Sequence, residues 1–241
     1  MTSLDPARPS APPAAPVDAL DEALLKYGPR TTLYLIRHAQ QDYPRAGSSA
    51  ADIVDPPLSG VGERQLEHLA KRFVEVPLDA VYASPLSRAL RTGQAAGSHL
   101  GLKPALDRDL REFDIFYQLP GDVPPEVSLG EEVLEAARTQ MVRDLRWDAY
   151  PASETSAQFR GRVNAAIDRI VAAHENQSIA VACHGGAINA LLASRLGITE
   201  DMFFRAAHTS VTTVYISGDR MVIHGLNDYT HLRDEPELRT A

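Results

Sequence analysis

Two runs in the chain end on a histidine in a setting suited to an anion. Leu35-Ile36-Arg37-His38 closes an apolar, β-branched run that begins at Thr31, and Val181-Ala182-Cys183-His184-Gly185-Gly186 closes another that begins at Ser178. Apolar runs of this length read as buried strands. In open α/β sheets ligands gather at the carboxyl ends of strands, where both histidines fall. A third strand-like run, Asp79 to Ser84, leads into Ser84-Pro85-Leu86-Ser87-Arg88-Ala89-Leu90-Arg91-Thr92 and puts Arg88 in the first turn of a helix at the same rim. Arginine offers a planar fork to phosphate oxygens. Imidazole can carry a phosphoryl group covalently. Glycines at a helix start let an anion approach the main-chain N–H groups. Together these residues predict a phosphate site.

The elements that must position them follow from hydrophobic period and capping. Ser59 caps a helix whose Leu66, Leu69, Ala70 and Phe73 form one stripe. Ser84 as N-cap with Pro85 in the first turn predicts a helix to about Leu100. Ala105 to Leu110 is a weaker strand candidate. Ser128 to Glu131 has capping-box spacing, predicting a helix to about Ala149. A cap near Ser153 to Thr155 predicts a helix with Phe159, Val163, Ile167, Ile170 and Val171 inward, and Gly197 ends the helix that follows His184. Ser210 to Ile216 and Arg220 to Gly225 read as a hairpin around Gly218. Alternating strands and helices predict an α/β fold, a three-layer α/β/α sandwich with a mostly parallel sheet and a late antiparallel edge. Residues 30–241 form the domain, and 113–150 interrupt the alternation as a helical insertion over the active-site end. Residues 1–29 are a lead-in. Met1 to Pro16 reads as disordered from its Pro, Ala and Ser content, and Asp18 to Tyr27 as a short helix with Leu20, Leu24 and Leu25 on one side. Gln40 to Pro57 reads as a loop.

Composition narrows the classes. A net charge of -8 argues against non-specific nucleic-acid binding. No run reaches the ~18–20 apolar residues of a membrane span, and the N-terminus lacks the pattern of a secretory leader. Cys183 is the only cysteine, so neither an intrachain disulfide nor a multi-thiolate zinc site can form. A cytoplasmic location is the expectation. Cys183 itself reads as a small buried residue.

Arg37-His38-Ala39-Gln40, the Ser84 to Thr92 run, Leu110-Arg111-Glu112 and His184-Gly185-Gly186 stand in the order and spacing of the histidine phosphatase superfamily, which is phosphoglycerate mutase-like in fold. Pro57 to Gly62, Ser153-Glu154-Thr155 ahead of Arg160 and Arg162, Ser210-Val211-Thr212 and Leu226-Asn227-Asp228 resemble further family segments, and the resemblance spans roughly residues 31–232. It implies phosphomonoester hydrolysis through a phosphohistidine on His38, with Arg37, Arg88 and His184 binding the phosphoryl group and Glu112 as general acid and base. His184 thus belongs to both the catalytic and the binding set, and Gln40 and Gly185 complete the binding set. It implies no metal and no cofactor. The partner is a small-molecule phosphomonoester, not nucleic acid or membrane, and a homodimer is left open. Where relatives often follow this acid with a Gly-aromatic-Glu-Gly run, this chain has Phe113-Asp114-Ile115-Phe116-Tyr117-Gln118, which makes Asp114 a competing acid.

Two other readings stand beside this one. A mutase would use the same intermediate, but the glycolytic mutases carry Asn and Trp in the segment after Arg-His, and Gln41 to Pro57 has neither. A silent phospho-ligand module would need no nucleophile. His208 divides evenly between pocket lining and plain loop. Arg91 and Arg111 are secondary pocket candidates, as are Phe116, Tyr117 and Trp147. His68, His99, His174, His224 and His231 read as surface or edge residues.

Overall fold

A computed structural model describes residues 19–43, 48 and 53–241. The expected disorder of Met1 to Pro16, and residues 44–47 and 49–52 of the loop Gln40 to Pro57, lie outside the described residues. Six strands form one sheet in the order β3-β2-β4-β1-β5-β6. They are β1 (Thr31–Arg37), β2 (Ala80–Ala83), β3 (Ala105–Leu106), β4 (Ser178–Cys183), β5 (Val211–Ser217) and β6 (Arg220–Asp228). β1 to β4 run parallel to one another, while β5 pairs antiparallel with both β1 and β6.

Alternation along the central strands sets the layers. Leu33 and Leu35 of β1 and Ile179, Val181 and Cys183 of β4 share a core with Phe159, Val163, Ile167 and Ile170 of helix Ser156–Ala173 and Ile188 and Leu191 of helix Gly185–Leu196. On the other face Ile36, Ala180 and Val81 meet Leu69 and Phe73 of helix Gly60–Phe73 and Ala96 of helix Ser87–Gly97. The chain is therefore a mixed α/β fold with helices on both faces of a six-stranded sheet.

Several boundaries differ from expectation. Leu86, not Ser84, is the N-cap of helix Ser87–Gly97, because Ser84 still pairs with β4 through Ala182 O (3.0 Å). The third strand has two residues, then turns into a 3-10 segment capped by Asp107, whose side chain accepts from Asp109 N (2.9 Å). Ser128 lies inside a short helix, Pro125–Leu129, that proline starts and Gly130 (φ 86°) ends, so the next helix, Glu131–Asp144, begins without the expected capping box. The box at Thr155 and Gln158 does form. Near the start, only Ala19–Ala23 is helical, and Leu20 and Leu24 are exposed while Leu25 is buried.

Ser59 caps helix Gly60–Phe73 by accepting from Gly62 N (3.0 Å), and that helix carries the buried Gln65 into contact with the turn after His38. Approach is closest at Gly62, where a Cβ would lie 2.1 Å from Gln40 O. Nothing lies within 4 Å of the corresponding point at Gly60. Gly62→Ala should therefore lower stability by about 1–3 kcal/mol through overpacking, and Gly60→Ala should stay within about 0.5 kcal/mol of the parent. Urea unfolding of both variants checks the contrast.

Candidate active site

The parallel ladders continue one residue beyond the strands. His38 N donates to Cys183 O (2.9 Å) and Ser84 N to Ala182 O (3.0 Å), so His38, Ser84 and His184 emerge side by side. The rings of His38 and His184 have centroids 5.1 Å apart. A third imidazole, His208, stands 5.6 Å from His38. Among the site residues expected from sequence, Arg37, His38, Arg88, Glu112, His184 and Gly185 come together at this rim.

Each ring has a defined proton arrangement. His38 Nδ1 lies 2.8 Å from Ala39 O. A carbonyl only accepts, so Nδ1 carries the proton and Nε2 keeps its lone pair. Burial, then Arg88 and Arg37, holds the His38 pKa well below the ordinary 6.5. His184 is lowered likewise, by burial first and then Arg88. Its Nδ1 accepts from Arg88 Nη2 (3.5 Å) and its Nε2 donates to Ser84 Oγ (2.9 Å). His208 Nε2 accepts from Arg37 Nη2 (2.9 Å) and its Nδ1 donates to Thr240 Oγ1 (2.9 Å), while burial and Arg37 push its pKa down to about 3.

The two arginines are held at the rim by main-chain oxygens. Arg37 Nη1 donates to Ala206 O, and Arg88 Nη1 to Val54 O (2.9 Å) with Asp55 Oδ1 at 3.4 Å. Among the described residues, neither Nε atom has a hydrogen-bond partner, and both are buried. Burial lowers the pKa of both guanidinium groups, and Glu112 opposes that in each case.

Glu112 is seated by main-chain donors. Oε1 accepts from Phe113 N and Oε2 from Gly186 N, each at 3.0 Å. A Cβ at residue 186 would lie 2.2 Å from Oε1, so any larger residue there would move the carboxylate from this seat. The loop bearing Glu112 is clamped by Arg162, whose guanidinium donates to the carbonyls of Asp109, Arg111 and Glu112 (2.8 Å each) and pairs with the buried Glu154. Glu154 Oε1 accepts from Asp114 N (2.7 Å). The Asp114 carboxylate pairs with Arg111 (3.0 Å), and neither residue lines the cavity above the site.

That cavity, about 580 Å³, is lined by Arg37, Glu112, Gly185 and Gly186 together with Trp147 and the segment Met202–Ala206. Trp147 stacks on Phe113 at 5.1 Å, and its main chain is fixed by Asp201 Oδ2 (3.0 Å). Among the described residues no group of three or more His, Cys, Asp or Glu side chains is arranged to hold a metal ion, and no helix is long and apolar enough to cross a membrane.

Other expectations resolve differently. The Gln40 side chain is taken up by Ser59, whose Oγ donates to its Oε1 (2.7 Å), so Gln40 secures the helix cap and not the rim. Arg91 pairs with Glu63 at the surface. His231 is not a plain edge residue, because its Nε2 contacts Thr209 Oγ1 (3.1 Å) directly behind His208. Thr209 takes φ 57°, a left-handed conformation that a β-branched residue adopts only when its surroundings impose it. Cys183 is buried, which pushes its thiol up to about 12. Sequence reasoning gave no role to Thr92 or Thr240. Thr92 Oγ1 accepts from Ala39 N (3.0 Å) and donates to Arg88 O (2.8 Å), tying the turn after His38 to the helix that carries Arg88. Position 92 of the Ser84 to Thr92 run was the available signal. Nothing local marks Thr240.

Comparison with known proteins agrees with this architecture. Phosphoserine phosphatase 1 of Hydrogenobacter thermophilus is 27% identical over 202 residues, covering 83% of this chain and 93% of its own. The solved structure of Bacillus stearothermophilus YhfR superposes with a TM-score of 0.71 at 24% identity, covering 84% of this chain and 99% of that chain. That of a phosphoglycerate mutase from Bacillus anthracis gives 0.67 at 20% identity over 85% and 96% of the two chains. The family model of the histidine phosphatase superfamily (branch 1) matches residues 33–229, and the chain belongs to that superfamily.

Proposed function

We propose that this chain is a metal-independent phosphomonoester hydrolase working through a phosphohistidine on His38. The observation that carries the reading is the buried, neutral His38 ring, its Nδ1 pinned to Ala39 O beside two guanidinium groups and a second imidazole. The phosphoryl group would sit against Arg37, Arg88 and His184. Its oxygens would replace Val54 O and Asp55 as acceptors for Arg88. His38 Nε2 attacks phosphorus, the ester P–O bond breaks, and Glu112 gives its proton to the leaving oxygen. Glu112 then takes a proton from water as that water attacks phosphorus and the P–N bond breaks, releasing inorganic phosphate and restoring neutral His38. Positive charge on Arg37 and Arg88 stabilises the transferring group, the role a metal fills elsewhere. His208 and Ser84 act indirectly, by orienting Arg37 and His184.

With chelator present, the protein should release phosphate from a panel of phosphomonoesters and form an acid-labile phosphoenzyme. His38→Ala should lose both. Phosphoenzyme formation in that variant would overturn the assignment, and interconversion of 2- and 3-phosphoglycerate without phosphate release would make the chain a mutase. In Glu112→Gln the rate of phosphoenzyme formation, followed as the pre-steady-state burst of alcohol, should fall by about 10²–10⁴ with alkyl phosphates and little with p-nitrophenyl phosphate, whose leaving group needs no proton, while phosphoenzyme breakdown slows for both. An equal fall in the burst rate with both substrates would remove Glu112 from the acid role.

Keeping three imidazoles neutral has a consequence for stability. The pKa values of His38, His184 and His208 lie below their unfolded value of 6.5 in the folded state, so the unfolded chain binds more protons in acid. The stability they contribute is full above pH 6.5 and is lost as pH falls toward their folded values, the lowering at His208 reaching about 3. Each ring can contribute a slope of about 1.4 kcal/mol per pH unit in that window. Urea midpoints should fall between pH 7 and pH 5, and less steeply in His208→Asn. A midpoint flat across that range would contradict the protonation scheme.

A further inference from the structure

Two protein acceptors fix the plane of the Arg37 guanidinium. Ala206 O takes a proton of Nη1, and the His208 ring takes one of Nη2 (2.9 Å). An arginine nitrogen only donates, so His208 Nε2 must keep its lone pair. Burial and then the Arg37 charge keep the ring neutral. Its one ring proton therefore belongs on Nδ1. The other neutral tautomer would set an N–H of His208 against an N–H of Arg37 and deprive the guanidinium of its second acceptor. His208 is fully buried, so the proton on Nδ1 needs an acceptor from the chain itself.

That acceptor is the Thr240 hydroxyl (2.9 Å). Its direction is fixed independently from the far side by Gln65. Gln40 N donates to Gln65 Oε1 (2.8 Å), and a main-chain N–H can do nothing else, so the amide oxygen is identified. The Gln65 Nε2 group then faces Leu238 O (2.6 Å) and Thr240 Oγ1 (3.0 Å), and it can only donate. Thr240 Oγ1 thus accepts from two donors, Gln65 Nε2 and His208 Nδ1. Every bond on the path from Gln40 N to Arg37 has one permitted direction, and the two halves of the path converge on this hydroxyl. The 3-10 turn Pro236–Leu238, with Leu238 fully buried, carries Thr240 to that point. A main-chain bond from His208 N to Thr240 O (2.9 Å) joins the two residues without the hydroxyl.

We propose that Thr240 is a positioning residue for phosphoryl binding: its hydroxyl keeps the His208 proton on Nδ1 and thereby holds the Arg37 guanidinium in the plane that meets the phosphoryl group. This rests on the reading of Arg37 as a phosphoryl ligand.

Thr240→Val removes the hydroxyl, keeps the side-chain shape and leaves the main-chain bond in place, while Thr240→Ser returns the hydroxyl. Inorganic phosphate is the probe, its Kd measured at pH 7 beside the ¹⁵N shifts of the His208 ring. In Thr240→Val the Kd should rise about three- to tenfold, the fold-change of one hydrogen bond's net contribution, and the ring should shift toward the tautomer protonated at Nε2. Thr240→Ser should restore both. In a His208→Ala background, Thr240→Val should leave the Kd where His208→Ala alone puts it, because the hydroxyl acts only through the ring. A His208 proton on Nε2 in the wild-type protein overturns the inference, as does an unchanged Kd in Thr240→Val. A raised Kd with the tautomer unchanged also overturns it, since that would be a packing effect. The hydrolase reading fails separately. A wild-type protein that binds phosphate with the expected His208 tautomer yet turns over no phosphomonoester overturns that reading alone, and one that binds no phosphate overturns both.

Discussion

Two guanidinium groups withdrawn from water, Arg37 at the end of β1 and Arg88 in the first turn of the helix after β2, constrain everything around them. Removing a charge from water costs several kcal/mol unless donors find acceptors. Arg37 and Arg88 find theirs in the carbonyls of Ala206 and Val54, in the rings of His208 and His184, and in the field of Glu112. An imidazole nitrogen accepts only while it is unprotonated. The arginines therefore require neutral rings, and their charge keeps the rings neutral. His38, between them, inherits the same state without bonding to either, and the Ala39 carbonyl decides which of its nitrogens stays open.

The surrounding scaffold turns that electrostatic arrangement into geometry. Arg162 and Glu154 fix the Glu112 loop, and Gly186 leaves space for the carboxylate. On the opposite side Gln65 joins the turn after His38 to the last residues of the chain, accepting from Gln40 N (2.8 Å) and donating to Leu238 O (2.6 Å) and Thr240 Oγ1 (3.0 Å). Thr240 in turn receives the His208 proton, so the C-terminal segment bears on Arg37 through one imidazole. Residues 37, 40, 65, 208 and 240 are separated widely in sequence and act as one hydrogen-bonded unit, which explains why buried polar side chains concentrate there.

The strands and the larger helices were legible because hydrophobic period and capping are local. β1 and β4 alternate correctly between two cores, and Ser59 and Thr155 cap where their side chains indicate. Arg37, His38, Arg88 and His184 were legible as a set because each sits at a strand end or a helix start, whereas Glu112, in a loop, was legible only through the resemblance of Leu110-Arg111-Glu112 to the family. What sequence did not reveal depends on distant contacts. Ser84 has the look of a cap, yet the β2–β4 ladder extends past it and gives its hydroxyl to His184. Gln40 has the look of a ligand until the Ser59 hydroxyl takes its amide oxygen. His208, Thr240 and Arg205 follow no period, and only the sheet bulge at β5–β6 with Asn227 and the returning chain end bring them to the site. Asp114 could be set aside only once Arg111 was seen to hold it.

Imidazole ¹⁵N chemical shifts report directly which nitrogen of each buried ring carries the proton. Long-range ¹H–¹⁵N correlation spectra of the protein, with His38 assigned by comparison with His38→Gln, should show a neutral ring with Nδ1 protonated and Nε2 unprotonated at pH 7 and still at pH 6. An imidazolium at His38 in that range, or the proton on Nε2, would contradict the account.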